Sequence, residues 1–382
     1  MKATKWISIL LLVLPLTGCW SKYEAQNINY ATAVGVDYEK GKYTLYVQML
    51  DFSTVAKMEG QQKSEEVPVW LGKGSGISFT DAANDLYSTS QQRVSWGQVS
   101  AMVFSERLLE KQKIHEVLEL FNRYREFRYL PWLFSTQDSL DEILTATPFF
   151  KLSPKASILH NPEQNYRQRS ILPPVRLYQF VQFSNEKAKL GYIPELGINK
   201  KQWKENQKPH ELLEYRGIQL YDHNKYYGRM TMPDLKGLPW MNQQTVRLPL
   251  SLFKDGKLAA VLVAEKPKVK ITPTVRNEKA YFDVTVNIRA GINELHQHLS
   301  NQEITKMAQR EIEAQIEKTF KIAYGKKIDI YDLGESLYRK DPAAWSHIAG
   351  HNQFILNENS LLHLNVKVKV IYPGRYKSGV IN

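Results

Sequence analysis

The sequence predicts an α+β, mixed α/β protein of three domains, each a mainly antiparallel or mixed sheet with flanking helices, behind a cleaved export signal. Three observations predict this class. Strand-like and helix-like segments alternate in the first half of the chain, as in sheets covered by helices. Short strand-like runs separated by Gly, Asp and Asn turns dominate the middle. After cleavage about 360 residues remain, which is too many for one hydrophobic core.

The first segment, residues 1–18, has the layout of a signal peptide. Lys2 and Lys5 form a positively charged region, and residues 7–14 form an almost purely aliphatic run. This run is shorter than the roughly 20 apolar residues that a membrane-spanning helix needs. We therefore expect the segment to direct export and then to be removed.

Cys19 is the only cysteine in the chain and follows the signal directly. The segment Leu16-Thr-Gly-Cys19 has the shape of a bacterial lipobox, in which the thiol is joined to diacylglycerol before cleavage. The sequence predicts S-diacylglyceryl and N-acyl groups on Cys19, and a lipidated tether over residues 19–29. Two acyl chains hold stably, because each buried methylene contributes about 0.8 kcal/mol. The alternative is an ordinary secretory signal with a chance cysteine near its end.

Composition limits both the stabilising chemistry and the partners. With its cysteine used for lipid, an exported chain has no disulfides available, so its domains depend on packing alone. The formal net charge is +12, of which Lys2 and Lys5 contribute two, so the mature chain carries +10. A basic tethered protein is attracted to anionic headgroups within about 10 Å. A high isoelectric point also suggests nucleic acid, but the anchor and the scattered basic residues favour no nucleic-acid partner.

The N-terminal domain is predicted to span residues 30–200 as a mixed α/β unit. A polar turn containing glycine separates its first two strands, which predicts a β-hairpin. Ser78 and Asp81 form a capping-box pattern at the start of a helix. The glycine-rich segment 72–76 is interpreted as a flexible turn. The predicted strands are 31–36, 43–50, 67–71, 99–104 and 129–134. One predicted helix begins at residue 78, and the other three span residues 106–124, 139–145 and 175–183.

Two further domains are predicted, residues 210–265 and residues 266–382. The first is a small β-rich middle module. The second is an α+β unit that contains the most regular helix of the chain, residues 301–324, with a capping box before it and apolar residues at intervals of four. Its last strand, residues 362–371, alternates valine and lysine and is predicted to be antiparallel with one face in water.

Each candidate for catalysis or metal binding lacks a required residue. The segment 72–76 lacks the spacing of a phosphate-binding loop. A nucleophile elbow at Ser336 would need glycine in the place of Tyr338. Two histidine pairs have no carboxylate at metal-binding spacing, namely His296 with His298 and His347 with His351. We therefore predict no catalytic residue, no metal site and no cofactor.

A group of arginines alternates with aromatic residues, and its meaning stays open at this stage. Arg123, Arg125 and Arg128 could form a patch that binds an anion or a partner, or they could be the solvated end of a helix. The chain has 8 tryptophans and 21 tyrosines. Such residues serve both cores and interfaces, and the sequence does not separate the two uses.

A series of short segments, distinctive in order and spacing, extends over nearly the whole mature chain. They are Gly18-Cys19-Trp20, residues 33–37, 76–82, 96–99, 103–106, 123–128, 142–144, 217–221, 227–229, 237–240 and 332–337, Asp341-Pro with Trp345, and the valine and lysine strand that runs into Gly374. In this order they resemble the Ger(x)C family, the C-subunit lipoproteins of endospore germinant receptors.

The resemblance implies a non-catalytic subunit held by lipid on the outer face of the spore inner membrane, beside receptor A and B subunits, the second of them multi-spanning. Such a complex senses nutrients, and this subunit would support assembly and signalling in spore germination. Only Cys19 receives a function in this way, and direct binding of germinant stays open. The alternatives are a solute-binding lipoprotein of a transporter, with two similar lobes, and a lipoprotein hydrolase, which needs a nucleophile and a base.

Overall fold

Strands and helices alternate along the part of the chain that the computed structural model describes, residues 28–50, 68–123, 126–222, 225–350 and 354–371. The strands are β1 (Ile28–Glu39), β2 (Lys42–Met49), β3 (Trp70–Gly76), β4 (Arg93–Ser95), β5 (Ala101–Ser105), β6 (Trp132–Thr136), β7 (Val175–Arg176), β8 (Gly191–Asn199), β9 (Lys204–Glu205), β10 (Lys208–Pro209), β11 (Leu212–Asp222), β12 (Lys225–Thr231), β13 (Leu248–Lys254), β14 (Lys257–Arg276), β15 (Lys279–Leu295) and β16 (Leu361–Ile371). The helices are α1 (Phe79–Tyr87), α2 (Glu106–Glu110), α3 (Ile114–Arg123), α4 (Leu140–Thr145), α5 (Pro162–Gln168), α6 (Leu177–Asn185), α7 (Leu238–Met241), α8 (Asn301–Gly325), α9 (Leu333–Lys340) and α10 (Pro342–Ala349).

The first sheet has ten strands and is mixed, as predicted. Its main order is β12, β11, β8, β6, β5, β1, β2, β3. The four central strands β8, β6, β5 and β1 run parallel, while β1 and β2 form the predicted antiparallel hairpin. Parallel strands need both faces covered, and the helices that follow them supply this cover.

The two faces of this sheet carry separate apolar clusters. Helices α1, α2, α3 and α6 cover one face, where Val36, Phe104 and Phe180 are buried. Helix α4 and the segment after it cover the other face, where Val103 and Leu144 are buried. Alternate residues of one strand therefore enter different clusters, which follows from the two-residue repeat of a strand.

The prediction of a flexible turn at 72–76 is wrong, because these residues lie in the edge strand β3, paired with β2. Their glycines allow helix α1 to approach closely. A Cβ added to Gly74 would lie 2.8 Å from the backbone nitrogen of Leu86, and one added to Gly76 would lie 2.5 Å from that of Ala82. The predicted helix start is confirmed, since the Asp81 amide donates to the Ser78 hydroxyl over 3.1 Å.

The single helix predicted over 106–124 is two helices, α2 and α3. Gln112 between them has a φ of 56°, in the left-handed region that ends a right-handed helix. The expected apolar stripe is buried all the same, at Leu109, Ile114, Val117 and Phe121. The hydrophobic period therefore identified the buried face correctly but not the break.

The second sheet has four strands in the order β13, β14, β15, β16. The valine and lysine alternation of β16 is confirmed, with Val366 and Val368 buried and Lys367 and Lys369 exposed. The prediction that this strand is antiparallel to its neighbour is wrong, because β16 runs parallel to β15. Helices α8, α9 and α10 lie between these strands and return the chain to the edge where β15 begins, as parallel pairing requires.

Strand pairing crosses the three segments predicted as domains. From the middle segment 210–265, strands β11 and β12 extend the first sheet, while β13 and the first part of β14 belong to the second. The boundary at 265 falls within β14, at a bulge between Glu265 and Lys268. The independence of the three segments as folding units stays a prediction.

A short segment after β12 docks on the long helix α8 and joins the two sheets. Its Trp240 is buried and donates from Nε1 to Gln315 over 2.8 Å, and the Gly237 amide donates to the Thr319 hydroxyl over 3.0 Å. One apolar cluster here contains residues of both sheets and of α8, including Leu220, Leu250 and Ile312. The two sheets therefore share a core.

Gly237 tests this docking. A Cβ at position 237 would lie 2.5 Å from the Gln315 carbonyl oxygen and 2.7 Å from the Ile316 Cα. Because both atoms belong to helix backbone, we expect Gly237→Ala to lower the free energy of unfolding by about 2 kcal/mol or more. Chemical denaturation would measure this. Gly325→Ala is the matched control, since nothing lies within 4 Å of its Cβ, and equal effects of the two variants would contradict the prediction.

Candidate functional site

Cys19 lies outside the described residues, so its lipidation stays a prediction. The nine residue steps from Cys19 to Ile28 reach at most about 30 Å when fully extended. Within the described ranges, no helix is both long and apolar enough to cross a bilayer. The place where the described chain begins is therefore the region closest, along the chain, to the predicted anchor.

This region is the amino edge of the parallel strands, where β1, β5 and β6 all begin. The start of β1 pairs with β4, Ile28 opposite Arg93. Arg93 forms an ion pair with Glu126, whose other carboxylate oxygen accepts from the Trp96 amide over 3.5 Å. The predicted arginine group lies beside it: Arg123 ends helix α3 and pairs with Glu119, and Arg125 is outside the described residues.

A row of aromatic rings anchors the segment that follows. The ring centroids of Phe121 and Phe127 are 4.3 Å apart, and those of Phe127 and Trp96 are 5.2 Å apart. Trp96 in turn donates from Nε1 to the Tyr87 hydroxyl over 2.9 Å. Since Phe121 and Trp96 are buried, these rings hold residues 126–130 against the sheet.

Four side chains project from this anchored segment and its neighbour, and we name them the edge patch: Arg128, Tyr129, Leu130 and Tyr178. All are exposed, the last three at 42%, 53% and 44%. The Tyr178 amide donates to the Tyr129 carbonyl over 3.1 Å, so backbone contacts join the two segments. Exposed tyrosine and arginine on a fixed backbone are characteristic of binding surfaces.

The arginine behind the edge patch is already engaged. Arg176 donates from Nη1 to the Leu130 carbonyl over 2.6 Å, and its guanidinium lies 3.6 Å from the centre of the Trp132 ring. This stacking on the first residue of β6 orders the backbone that carries Leu130. The edge patch is thus a rigid part of the sheet edge, and rigidity lowers the entropic cost of binding.

The opposite, carboxyl edge of the parallel strands holds a cleft of about 290 Å³. Such edges are the usual ligand sites of open α/β sheets. Here the central charges neutralise each other, because the buried Asp37 carboxylate forms an ion pair with Arg107 and accepts from the Ser105 hydroxyl. The hydrogen bond to Asp37 raises the pKa of Arg107 above its usual value. The polar groups at this edge therefore stabilise the strand ends.

A buried ion pair links three strands of the first sheet. Glu195 on β8 is fully buried and accepts from Arg229 on β12 over 2.8 and 3.0 Å, and from Gln219 on β11 over 3.0 Å. Burial raises the pKa of Glu195, and Arg229 opposes that shift. Loss of either partner would leave a buried charge without compensation, so this arrangement is structural.

One serine and histidine contact has the form of a nucleophile and a base. Ser100 Oγ lies 2.7 Å from Nδ1 of His160, whose Nε2 lies 2.9 Å from Oε1 of Gln48. Burial, with Lys155 as a smaller cause, lowers the pKa of His160 to about 3. An imidazole with that pKa is far too weak a base for work near neutral pH. The contact secures the loop before α5 to the sheet.

Another polar contact lies at the junction of the two sheets. The Leu190 amide, just before β8, donates to Asp332 over 3.0 Å, and Lys189 forms a mostly buried ion pair with Glu335 over 3.2 Å. A cavity of about 240 Å³ adjoins these groups. Burial, followed by the nearby Asp329 carboxylate, raises the pKa of Asp332 to about 7.

The motifs rejected in the sequence have structural partners. Ser336 lies within helix α9 and donates to the Leu333 carbonyl over 2.6 Å. His296 pairs with Glu294 over 2.9 Å, and His347 with Glu278 over 3.4 Å, while His351 is outside the described residues. In the described part of the chain, no three His, Cys, Asp or Glu side chains are grouped to hold a metal ion.

Sequence reasoning missed the Ser100 and His160 contact and the Asp332 junction. Their partners are 60 and 142 residues apart in the chain, and no motif connects them. The edge patch was only half identified, since Arg128 was named and Tyr178 was not. In the sequence, Tyr178 is recognisable only as a tyrosine on the exposed side of a short helix. That feature is too common to indicate a binding site.

Two large sheets with a shared core and flanking helices define an α+β protein. The chain belongs to the spore germination proteins of the Ger(x)C family. Residues 21–198 match the family model "Spore germination protein N-terminal domain", and residues 216–374 match "Spore germination B3/ GerAC like, C-terminal". The resemblance stated from the sequence is thereby confirmed.

Two relatives from Bacillus subtilis (strain 168) align over almost the whole chain. Spore germination protein KC is 23% identical over 358 residues, covering 89% of this chain and 88% of the relative. Spore germination protein B3 is 20% identical over 383 residues, covering 97% and 98%. The crystal structure of the GerBC protein aligns with a TM-score of 0.55 at 17% identity, covering 88% of this chain and 96% of that one, which supports the same fold.

The raised pKa of Asp332 predicts a pH-dependent effect of Asp332→Asn. The carboxyl binds its proton more tightly in the folded state than in the unfolded chain, so it lowers stability as the pH rises from about 4 to about 7. Asparagine keeps the acceptor for Leu190, tolerates the φ of 51° and carries no charge. We expect the variant to gain about 1–4 kcal/mol relative to wild type across this range. Thermal unfolding at several pH values measures it, and parallel profiles would contradict it.

Proposed function

We propose that this chain is the lipid-anchored C subunit of a nutrient germinant receptor, and that it is needed for spore germination. The observation that carries the proposal is the pair of family matches, which together extend from residue 21 to residue 374. Relatives named as spore germination proteins align at nearly full length. A chain that corresponds to the whole of such proteins is expected to perform the same kind of role.

The proposed role is non-catalytic. The contact closest to a catalytic pair, Ser100 with His160, holds an imidazole of very low basicity. The carboxyl-edge cleft has its central carboxylate neutralised by Arg107. A solute-binding protein of a transporter would have two similar lobes, whereas the two sheets here have ten and four strands. These features favour assembly and signalling through surfaces over chemistry or solute capture.

In this proposal Cys19 carries the lipid, and the chain lies on the outer face of the spore inner membrane beside the A and B subunits. The tether of at most about 30 Å keeps the amino edge of the first sheet near the bilayer. The edge patch contains two tyrosines and an arginine, which are residue types enriched among those that dominate binding to protein partners, and Leu130 adds exposed apolar area. We assign it as the contact surface for the membrane-embedded subunits.

The first test removes the edge patch. The triple variant Tyr129→Ala/Leu130→Ala/Tyr178→Ala is expected to recover about tenfold less of a multi-spanning partner in pull-downs from spore membranes solubilised in mild detergent, because it loses the exposed contact side chains. Phe253→Ala/Val275→Ala is the matched control, since both side chains are exposed and apolar on the second sheet. The proposal would be contradicted if the triple variant recovered as much of the multi-spanning partner as the wild-type protein does. It would also be contradicted if the wild-type protein recovered an ATP-driven transporter.

The second test removes the lipid site. In Cys19→Ala the protein is expected to leave the membrane fraction, because the thiol that accepts diacylglycerol is absent. Nutrient germination should then weaken, while germination by agents that bypass receptors persists. Germination assays with fractionated spores would measure both. Normal nutrient germination in spores whose protein is no longer membrane-bound would refute the importance of the anchor.

A further inference from the structure

The outer face of the second sheet carries an unusual concentration of cations. Five exposed basic side chains on β14, β15 and β16 lie on it, and we name them the basic face: Lys268, Lys270, Arg289, Lys367 and Lys369. Strand register fixes their neighbours, with Arg289 opposite Lys369, and with Asn287 between Lys268 and Lys367. The cations are therefore placed side by side across three strands.

This arrangement opposes sheet stability. Like charges directly opposite each other on neighbouring strands destabilise the pair, and Arg289 with Lys369 is such a pair. Within the described residues, none of the five cations forms an ion pair, although Glu265 stands opposite Arg289. Glu265 and Asp283 lie on the same face, and Asp283 is paired with His363, so the five cations stand against two carboxylates. The net positive charge of this face is suited to a negatively charged surface.

The other face of the same strands is fully occupied. Val284, Val286 and Val366 point into the shared core, where helix α8 packs against β16 and Gln309 donates to the Val366 carbonyl over 2.9 Å. Because the helices lie on that side, they do not cover the basic face. The five cations are therefore exposed to solvent on a sheet whose other face is packed.

The amino-acid composition of the basic face indicates whether its partner is a protein or a membrane surface. Cores of protein interfaces are enriched in aromatic residues and arginine and depleted in lysine, as in the edge patch. The basic face has four lysines and one arginine, with Asn287, Thr285 and Asn365 between them. Strongly hydrated point charges on flexible stems suit headgroups at a membrane surface, where binding needs no fixed geometry.

We propose that the basic face lies against anionic phospholipid headgroups of the membrane that holds the anchor. The proposal rests on the lipid anchoring proposed above, which holds the protein at the surface of the bilayer. A lipid chain combined with a polybasic surface is a recognised way of fixing a protein on a membrane. Contact through the basic face would set the orientation of the protein on the membrane, which a single point of attachment at Cys19 does not.

The experiment uses the full lipidated chain in vesicles of phosphatidylcholine alone and in vesicles that also contain phosphatidylglycerol. Acetylation rates of single lysines are read by mass spectrometry and expressed relative to Lys306, which is exposed on helix α8. Lys268, Lys270, Lys367 and Lys369 are expected to react about fivefold more slowly in the anionic vesicles, because each contact with an anionic surface contributes about 1 kcal/mol. High salt should remove the protection.

Charge reversal provides the matched comparison. Lys367→Glu/Lys369→Glu should abolish the protection of Lys268 and Lys270, whereas Arg310→Glu/Lys321→Glu, with the same change in charge on exposed positions of helix α8 and with the reference Lys306 intact, should leave it. Equal acetylation rates in the two kinds of vesicle would overturn the proposal. The proposal would also be overturned if the face lysines were protected from acetylation only when other receptor subunits are present, and equally in both kinds of vesicle. The basic face would then bind protein and not headgroups.

The same experiment separates failure of this proposal from failure of the anchor. Sedimentation of the wild-type chain with phosphatidylcholine vesicles reports the lipid on Cys19, because no anionic headgroup is present. If the chain stays in solution there but its face lysines are protected by anionic vesicles, the anchor is refuted and the basic face is supported. If it sediments with both and no lysine is protected, the anchor is supported and the basic face is refuted.

Discussion

The docking of the segment around Gly237 on helix α8 is the contact on which the rest of the structure depends. It joins a ten-stranded sheet and a four-stranded sheet through one apolar core, with Trp240 buried against the helix and held by Gln315. The chain has a single cysteine, so no disulfide within it can maintain this relation, which depends on packing and hydrogen bonds. The absence of a side chain at position 237 lets the segment reach the helix backbone, and Asp332 and Lys189 add a polar contact at the same junction.

A shared core gives the two exposed surfaces a fixed relation to each other. The edge patch presents Tyr129, Leu130 and Tyr178 near the start of the described chain, and the basic face presents lysines on the second sheet. Their chemistry differs in the way that protein contacts differ from headgroup contacts. In the proposed receptor, a subunit without a reaction of its own would act by holding the edge patch and the basic face in a fixed relation. A conformational change in a partner bound at one surface would then be resisted, or passed on to the other surface.

Local patterns predicted what depends on local interactions. The capping box of Ser300 with Glu303 and the apolar stripe of helix α8 are confirmed, because caps and helical periodicity are properties of neighbouring residues. The strand at Gly72 to Gly76 was missed, since its glycines are explained by the approach of helix α1 and not by a turn. The direction of β16 was wrong because valine alternation reports a buried face but not the neighbour. The polar contacts of His160 and Asp332 depend on distant partners, and no local signal indicates them.

The central proposal is that this chain works as a receptor subunit through the edge patch. Site-specific photo-cross-linking in dormant spores tests this most directly, with a photoreactive residue in the place of Tyr178 and, as a reference, in the place of Phe253 on the second sheet. The account predicts a covalent adduct between position 178 and a multi-spanning membrane protein, and no such adduct from position 253. Absence of any adduct with a membrane-spanning protein at position 178, in spores that germinate normally with nutrients, would contradict it.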